Sequence, residues 1–158
     1  MPIPSMPSDS TATGPDASAG GGHSLLILEL SGGLYGIDST TVREIVTALD
    51  AARLPGAPAH VRGVVNLRGQ LLTVVDLGHR LTGTPTPTTE GSIVVVSAVD
   101  RVLGLVVGDV HDVQELQIVP TEREVLARAD GLLTGVGRLG DEVVLVVDVP
   151  ELIRQTLA

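Results

Sequence analysis

The sequence predicts an all-β protein with a few short helices. Runs of β-branched and aliphatic residues, such as residues 93–96, alternate with Gly, Pro, Asn and Asp, which is typical of short strands in a sandwich or barrel. Hydrophobic residues make up 43% of the 158-residue chain, enough to form a core. Because Tyr35 is its single aromatic residue, that core must be built from Val, Leu, Ile and Ala.

The elements are predicted in a simple order along the chain. Residues 1–22, rich in Pro, Ser, Thr, Ala and Gly, are predicted to form a flexible leader. Two sets of strands follow, joined by a Thr/Pro/Gly linker over 82–91. The first set comprises 25–30, 34–37, 43–47, 64–67 and 71–75, and the second comprises 93–99, 102–107, 110–116, 132–138 and 143–147. One helical turn is predicted near Pro58, and a C-terminal helix over 150–157.

The two sets of strands are related by an internal repeat. An offset of 68 residues places Ser24 on Ser92, and an offset of 72 places Asp76 on Asp148. The same offsets also match Gly36 with Gly104, Val42 with Val110, and Gly63 with Gly135. The sequence therefore predicts a duplicated five-strand unit of roughly 70 residues, with a first barrel over about 24–81 and a second over about 92–149.

Composition excludes several classes of partner and location. The formal net charge is −9, and all ten basic residues are Arg, which argues against nucleic acid and anionic membrane surfaces as partners. No apolar run approaches the ~20 residues of a membrane-spanning helix, and the N-terminus does not resemble a secretory signal. With no Cys for disulfides, the expected location is the cytoplasm.

Motifs that carry chemistry are weak or out of context. Residues 135–140 spell G-x-G-x-x-G, but a strand follows them where a nucleotide site needs a helix, so we expect a hairpin with its turn at Gly140 and Asp141. No histidine has a partner at metal-ligand spacing, and no G-x-S-x-G elbow occurs. We therefore predict no enzyme, no cofactor and no metal. A small-ligand-binding barrel remains a remote alternative.

Two further features of the chain are side chains at strand ends. Asp76 and Asp148 follow equivalent strands, and each is expected to accept backbone hydrogen bonds where its strand stops. Arg68, followed by Gly69, is expected at a tight hairpin turn that presents the guanidinium to solvent. Such a rigidly held fork of donors suits recognition of a carboxylate or carbonyl, although an Arg placed there by chance is the simpler alternative.

At this point the sequence resembles the CheW family of chemotaxis coupling proteins over residues 24 to about 155. The resemblance rests on several blocks in order. These are Tyr35-Gly-Ile-Asp38, Val42-Arg-Glu-Ile45, Pro58-Ala-His-Val-Arg-Gly-Val-Val-Asn-Leu-Arg-Gly69, Val74-Val-Asp-Leu77, residues 103–113 and residues 133–141. The Asn-Leu-Arg-Gly block followed by Asp-Leu is the most specific of them.

The resemblance implies two intertwined five-stranded SH3-like barrels and a non-enzymatic adaptor. Its partners would be the cytoplasmic tip of a methyl-accepting chemoreceptor and a CheA-type histidine kinase, with the adaptor recruited from the cytoplasm to membrane receptor arrays. By similarity, Arg68 and Val113 would contact the receptor in a groove between the barrels. Val42, Glu44 and Ile45 would face the kinase. Gly63 and Gly104 would be structural, as would Gly69 in its turn.

The sequence also departs from the family pattern at two positions. His60 stands where the family often has an aromatic residue, and Thr73 stands where a Pro usually precedes the second strand. Thr73 restores a backbone donor, and His60 is expected to loosen local packing and to make that corner sensitive to pH. Both departures suggest a divergent member, so a non-motility pathway or a sequestering regulator remains an alternative function.

Overall fold

The computed structural model describes residues 22–47, 51–87, 91–120 and 130–157, so all of the predicted leader except Gly22 lies outside the described residues. Eleven strands and two helices follow in order within these ranges. The strands are β1 His23–Leu30, β2 Gly33–Asp38, β3 Val42–Thr47, β4 Val61–Leu67, β5 Gln70–Asp76, β6 Ser92–Ala98, β7 Arg101–Val107, β8 Asp109–Leu116, β9 Ile118–Pro120, β10 Leu133–Leu139 and β11 Glu142–Val147. The helices are α1 Leu77–Thr82 and α2 Val149–Leu157.

The strands form two sheets, which confirms the predicted all-β class. One sheet has six strands in the order β9-β10-β11-β2-β1-β8, and the other has five in the order β3-β6-β7-β5-β4. Each sheet takes a hairpin from the other repeat: β1–β2 lies in the six-stranded sheet, and β6–β7 lies in the five-stranded one. The contiguous ranges 24–81 and 92–149 are therefore sequence repeats that each contribute strands to both sheets.

The exchanged hairpins sit in equivalent registers, as a duplication requires. In the five-stranded sheet, β5 runs parallel to β7 with Val74 opposite Gly104. In the six-stranded sheet, β11 runs parallel to β2 with Val146 opposite Gly36. These pairs are related by the offsets of 72 and 68 residues that the sequence shows. The predicted intertwining of two repeats is thus present in the strand pairing.

Each sheet curls around its own aliphatic cluster, which is the arrangement of a small barrel. In the five-stranded sheet, Val65 on β4 and Val95 on β6 are buried together, and Val46 from the opposite edge strand packs against them. Leu25, Val144 and Leu116 form the corresponding cluster of the other sheet. A third cluster joins the two barrels and includes residues of both sheets and of α2. Burial of each such side chain contributes roughly 1.5–3 kcal/mol.

Local structure departs from the sequence predictions in three places. Near Pro58 the chain makes a single hydrogen-bonded turn, from the Val61 amide to the Pro58 carbonyl at 3.0 Å, and no helix. Helix α1 was not predicted, because its six residues, which include Gly78, are too few to show an apolar period. The predicted hairpin turn at Gly140 and Asp141 is confirmed, since β10 and β11 pair on either side of it.

The β6–β7 turn holds Val99 in left-handed backbone, with φ of 46°. A β-branched residue is strained there, whereas Asn tolerates this region. We expect Val99→Asn to stabilise the fold by about 1 kcal/mol, read as a higher urea midpoint at an unchanged slope. Val143→Asn, at a similarly exposed strand position, should give no gain. Equal or lower stability of Val99→Asn would count against strain at this turn.

Candidate functional site

Arg68 lies at the tip of the β4–β5 hairpin, in the tight turn that the sequence predicts. Arg68 and Gly69 have φ values of 52° and 86°, which places both turn residues in the left-handed region. The Gly69 amide donates to the Asn66 side-chain oxygen at 2.8 Å, which fixes the turn from within. The guanidinium is 68% exposed, so this stiff hairpin presents a cation to solvent.

Arg68 makes a two-point ion pair with Glu44 of β3. Its Nη1 donates to Glu44 Oε2 at 2.7 Å, and its Nη2 donates to Oε1 at 2.6 Å. The hydrogen bond from Arg68 holds the pKa of Glu44 below its usual value, and the same bond raises the pKa of Arg68. Strands β3 and β4 are opposite edges of the sheet, so this pair spans the gap where the curled sheet closes.

The ion pair borders an open cavity of about 320 Å³, which we call the Glu44–Arg68 groove. Its lining residues are Arg43, Glu44, Leu67, Arg68, Gln70, Leu71, Leu72, Val95 and Val102. Leu71 is 77% exposed, so an aliphatic surface lies beside the charged pair. The lining therefore combines apolar contact area with a planar fork of donors, which suits recognition of another protein. The described groove is lined by one barrel, whereas the sequence analysis placed Arg68 between the barrels.

The residues expected to face the kinase lie on or beside this groove. Val42, Glu44 and Ile45 belong to β3, an edge strand of the five-stranded sheet. Val42 packs against the cluster between the barrels, whereas Ile45 is 45% exposed on the outer face. Glu44 is thus joined to Arg68, the residue expected to contact the receptor. The two expected surfaces meet at this ion pair.

Val113, the other residue expected to contact the receptor, lies on β8 at an edge of the six-stranded sheet. It is 52% exposed and is the repeat counterpart of Ile45 at the 68-residue offset. Beside it lies a smaller cavity of about 200 Å³, lined by Ile27, Leu34, His111, Asp112, Gln114, Leu139 and Glu142. Most of these residues are repeat counterparts of residues in the Glu44–Arg68 groove. Applying the repeat offsets to that groove could have found this second cavity from sequence.

The three glycines expected to be structural lie in different environments. Gly63 has a φ of 136°, and a Cβ there would lie 2.1 Å from the Ala52 carbonyl oxygen. Gly69 has a left-handed φ with open space around it. Gly104 packs among side chains, with a Cβ position 3.1 Å from an Ile93 methyl group.

Asp76 is fully buried at the end of β5, where it is held by four hydrogen bonds. It accepts from the His79 amide at 3.1 Å, the Thr86 amide at 2.7 Å, the Thr86 hydroxyl at 2.8 Å and Arg62 Nη2 at 2.8 Å. Burial alone would raise its pKa, but these hydrogen bonds outweigh burial, so the pKa lies below its ordinary value. The expected role as an acceptor at a strand end is confirmed. The partners Arg62 and Thr86 were not predicted.

The lowered pKa of Asp76 predicts a specific pH dependence of stability. Because the folded pKa is depressed, the stabilisation is complete above the unfolded pKa near 3.9 and is lost as pH falls through the folded value. We expect Asp76→Asn to lower the free energy of unfolding by about 2–3 kcal/mol at pH 7, with a narrower gap from wild type at pH 3. Urea unfolding at both pH values measures this, with Asp141→Asn in an exposed turn as control. A gap of the same size at both pH values would contradict the assignment.

His60, one of the two departures from the family pattern, lies in the loop before β4. Burial is the main cause that holds its pKa below the usual value, and the nearby charges of Arg80 and His79 act in the same direction. Its carbonyl accepts from the Asp76 amide at 2.7 Å, so this corner is tied to the Asp76 network. Thr73, the other departure, pairs with Val64 within the regular β4–β5 ladder.

Metal and membrane features were sought in the same residues. Among the described residues, no group of three or more His, Asp or Glu side chains is arranged to hold a metal ion. No helix in the described ranges is long and apolar enough to cross a bilayer.

Comparison with known proteins identifies the family of this fold. The model of the CheW-like domain matches residues 24–157, nearly all of the folded part. The chain belongs to the CheW-like family. The recognition made from the Asn-Leu-Arg-Gly and Asp-Leu blocks is therefore confirmed.

Individual CheW-like relatives agree in sequence and in structure. The chain is 34% identical over 136 residues to the chemotaxis protein CheW of Klebsiella aerogenes, covering 84% of this chain and 82% of the relative. It is 37% identical over 105 residues to the chemotaxis protein CheW of Rhizobium meliloti, covering 64% and 68%. The crystal structure of the scaffolding protein TtCheW from Thermoanaerobacter tengcongensis superposes with a TM-score of 0.76 at 25% identity, covering 84% and 92%. The chain is thus a chemotaxis scaffold protein of the CheW type.

Proposed function

We propose that this chain couples methyl-accepting chemoreceptors to a CheA-type histidine kinase. Family membership and the names of the relatives as chemotaxis and scaffolding proteins support this proposal. The observation that carries it is the Glu44–Arg68 groove, an exposed surface that combines aliphatic residues with a rigid ion pair. The adaptor would act in the cytoplasm, recruited to receptor arrays, and would itself catalyse no reaction.

Signal transmission in this proposal follows from linked binding equilibria. The receptor binds at Arg68 and Val113, and the kinase binds at Val42, Glu44 and Ile45. Receptor states that bind the complex with different affinity then shift the activity equilibrium of the kinase by the same free energy. Because Arg68 and Glu44 are ion-paired, a partner that draws on one side chain alters the hydrogen bonds of the other. This pair gives the two surfaces a direct physical connection.

The exposed side chain of Ile45 gives a test of the kinase surface. We expect Ile45→Asp to weaken binding of the kinase regulatory domain by about 30-fold or more, because a carboxylate would be desolvated in an apolar contact. Titration calorimetry with the isolated regulatory domain measures this loss. Val99→Asp is the matched control, since Val99 is also 45% exposed and lies in the β6–β7 turn. Equal losses in both variants, or none in Ile45→Asp, would remove Ile45 from the kinase surface.

The proposal as a whole is tested by assembly of three components. A receptor signalling fragment, a CheA-type kinase and this chain should co-elute as one complex on size-exclusion chromatography. Without the chain, receptor and kinase should associate much more weakly. A chain that binds one component and blocks the other would instead be a sequestering regulator. A chain that binds neither would overturn the adaptor proposal.

A further inference from the structure

The linker between the repeats packs against the first repeat at Asp76. Thr86 is buried, and both its amide and its hydroxyl donate to the Asp76 carboxylate, at 2.7 and 2.8 Å. Gly78 leaves room for this contact, since a Cβ at that position would lie 3.0 Å from the Thr86 hydroxyl oxygen. A short segment of linker is therefore held in a pocket at the start of α1, immediately before the chain enters β6.

The second repeat has the equivalent pocket, but it is open. Asp148 follows β11 and precedes α2 as Asp76 follows β5 and precedes α1. Its side chain accepts one hydrogen bond from the described residues, from the Glu151 amide at 3.0 Å. Beside it is a cavity of about 340 Å³ whose lining includes His23, Asp38, Thr134 and Asp148. Thr134 is the counterpart of Arg62, so the cation that fills this place in the first repeat is also missing.

The repeat offset identifies which segment of the chain corresponds to the buried linker. The linker leads into β6, and the residues before His23 lead into β1, which is the repeat counterpart of β6. At the 68-residue offset, Thr86 corresponds to Ser18, which also carries a hydroxyl group. Ser18 precedes Ser24 by the same number of residues as Thr86 precedes Ser92. His23 and Ser24 themselves line the open cavity, so the chain enters the fold at its edge.

We propose that residues 15–22 dock in the Asp148 cavity, with the Ser18 amide and hydroxyl donating to the Asp148 carboxylate. The occupant is this chain's own N-terminal segment, for two reasons. It is the repeat counterpart of a segment that binds the equivalent site, and it is tethered at the cavity edge. A tether of a few residues gives an effective concentration in the millimolar range, which a separate molecule does not reach. The flexible leader then comprises residues 1–14, and the proposal is independent of the adaptor function.

Amide hydrogen exchange of the full chain, followed by NMR, tests this proposal. The Ser18 amide should exchange at least about 10-fold more slowly than in an unstructured peptide of the same sequence. Asp148→Asn should abolish this slowing, because Asn keeps an oxygen to cap α2 but presents an NH2 group where Ser18 would donate. Ser18→Ala should reduce the slowing at residue 18, and Ser10→Ala should leave it unchanged. Thr86 should keep its protection in every variant.

Three outcomes would overturn the proposal. One is exchange of the Ser18 amide at the peptide rate in the wild-type chain. The second is slow exchange that neither Asp148→Asn nor Ser18→Ala changes. The third is protection that rises with protein concentration, which would assign the cavity to a segment of a second copy. If Asp148→Asn also exposes the Leu152 amide, which donates to the Asp148 carbonyl, then α2 has frayed and Ser18→Ala alone decides.

Discussion

Arg68→Glu is expected to weaken receptor binding by about 30-fold or more while the fold is retained. The variant removes a guanidinium that is held on a two-residue turn and places a carboxylate directly against Glu44. Only two of the five guanidinium N–H groups are used by Glu44, so the others remain available to a receptor carbonyl or carboxylate. Reversal of this charge removes those donors and adds repulsion. Binding of a receptor signalling fragment, measured by calorimetry, reports the effect.

A charge swap separates the contact made by Arg68 from the ion pair it forms. The double variant Glu44→Arg with Arg68→Glu restores an ion pair across the closure of the barrel, but it moves the cation from the hairpin to β3. We expect its thermal stability to be close to wild type and its receptor affinity to stay low. Arg138→Glu, at an exposed position of β10, controls for net charge. Recovery of receptor binding in the double variant would show that the pair only shapes the groove.

Gly63→Ala is expected to destabilise the fold by more than about 3 kcal/mol, and to prevent folding if the wild-type margin is small. The new Cβ would lie 2.1 Å from the Ala52 carbonyl oxygen, which is itself bonded to the Val64 amide at 2.9 Å. Backbone on both sides would have to move, because no flexible side chain is available to give way. The positive φ of Gly63 adds strain for any side chain.

Gly69→Ala is the matched control for Gly63→Ala, because it shares the positive φ but has open space around it. Its cost should be about 1 kcal/mol, from backbone strain alone. Urea unfolding of both variants measures the difference, with soluble expression as a first indication. Costs of equal size would mean that the close approach to Ala52 does not determine stability, and would leave only the φ requirement.

The sequence predicts those parts of the fold that depend on local pattern. Nearly all strands were predicted because alternation and turn residues are encoded within a few positions, as in the Gly140–Asp141 turn. The exchange of hairpins between repeats is a choice among tertiary arrangements, and it followed only from the family resemblance. Helix α1 escaped prediction because it is set by the Asp76 cap and by the left-handed Gly83 at its end.

The candidate site was partly predictable for the same reason. The exposed turn position of Arg68 follows from the Arg-Gly pair, but its partner Glu44 lies 24 residues away and is brought near by barrel closure. The contacts of Asp76 with Arg62 and Thr86 also join separate segments. Repeat offsets are the one sequence signal that reaches such positions. They relate Ile45 to Val113, and Thr86 to Ser18.

The central claim, that this chain makes kinase activity responsive to the receptor, is tested most directly by autophosphorylation in a reconstituted mixture. A CheA-type kinase is assayed alone, with a receptor signalling fragment, and with the receptor fragment plus this chain. The account predicts that receptor and chain together change the rate severalfold, and that Arg68→Glu or Ile45→Asp removes this change. A kinase rate that responds to the receptor equally with and without the chain would contradict it.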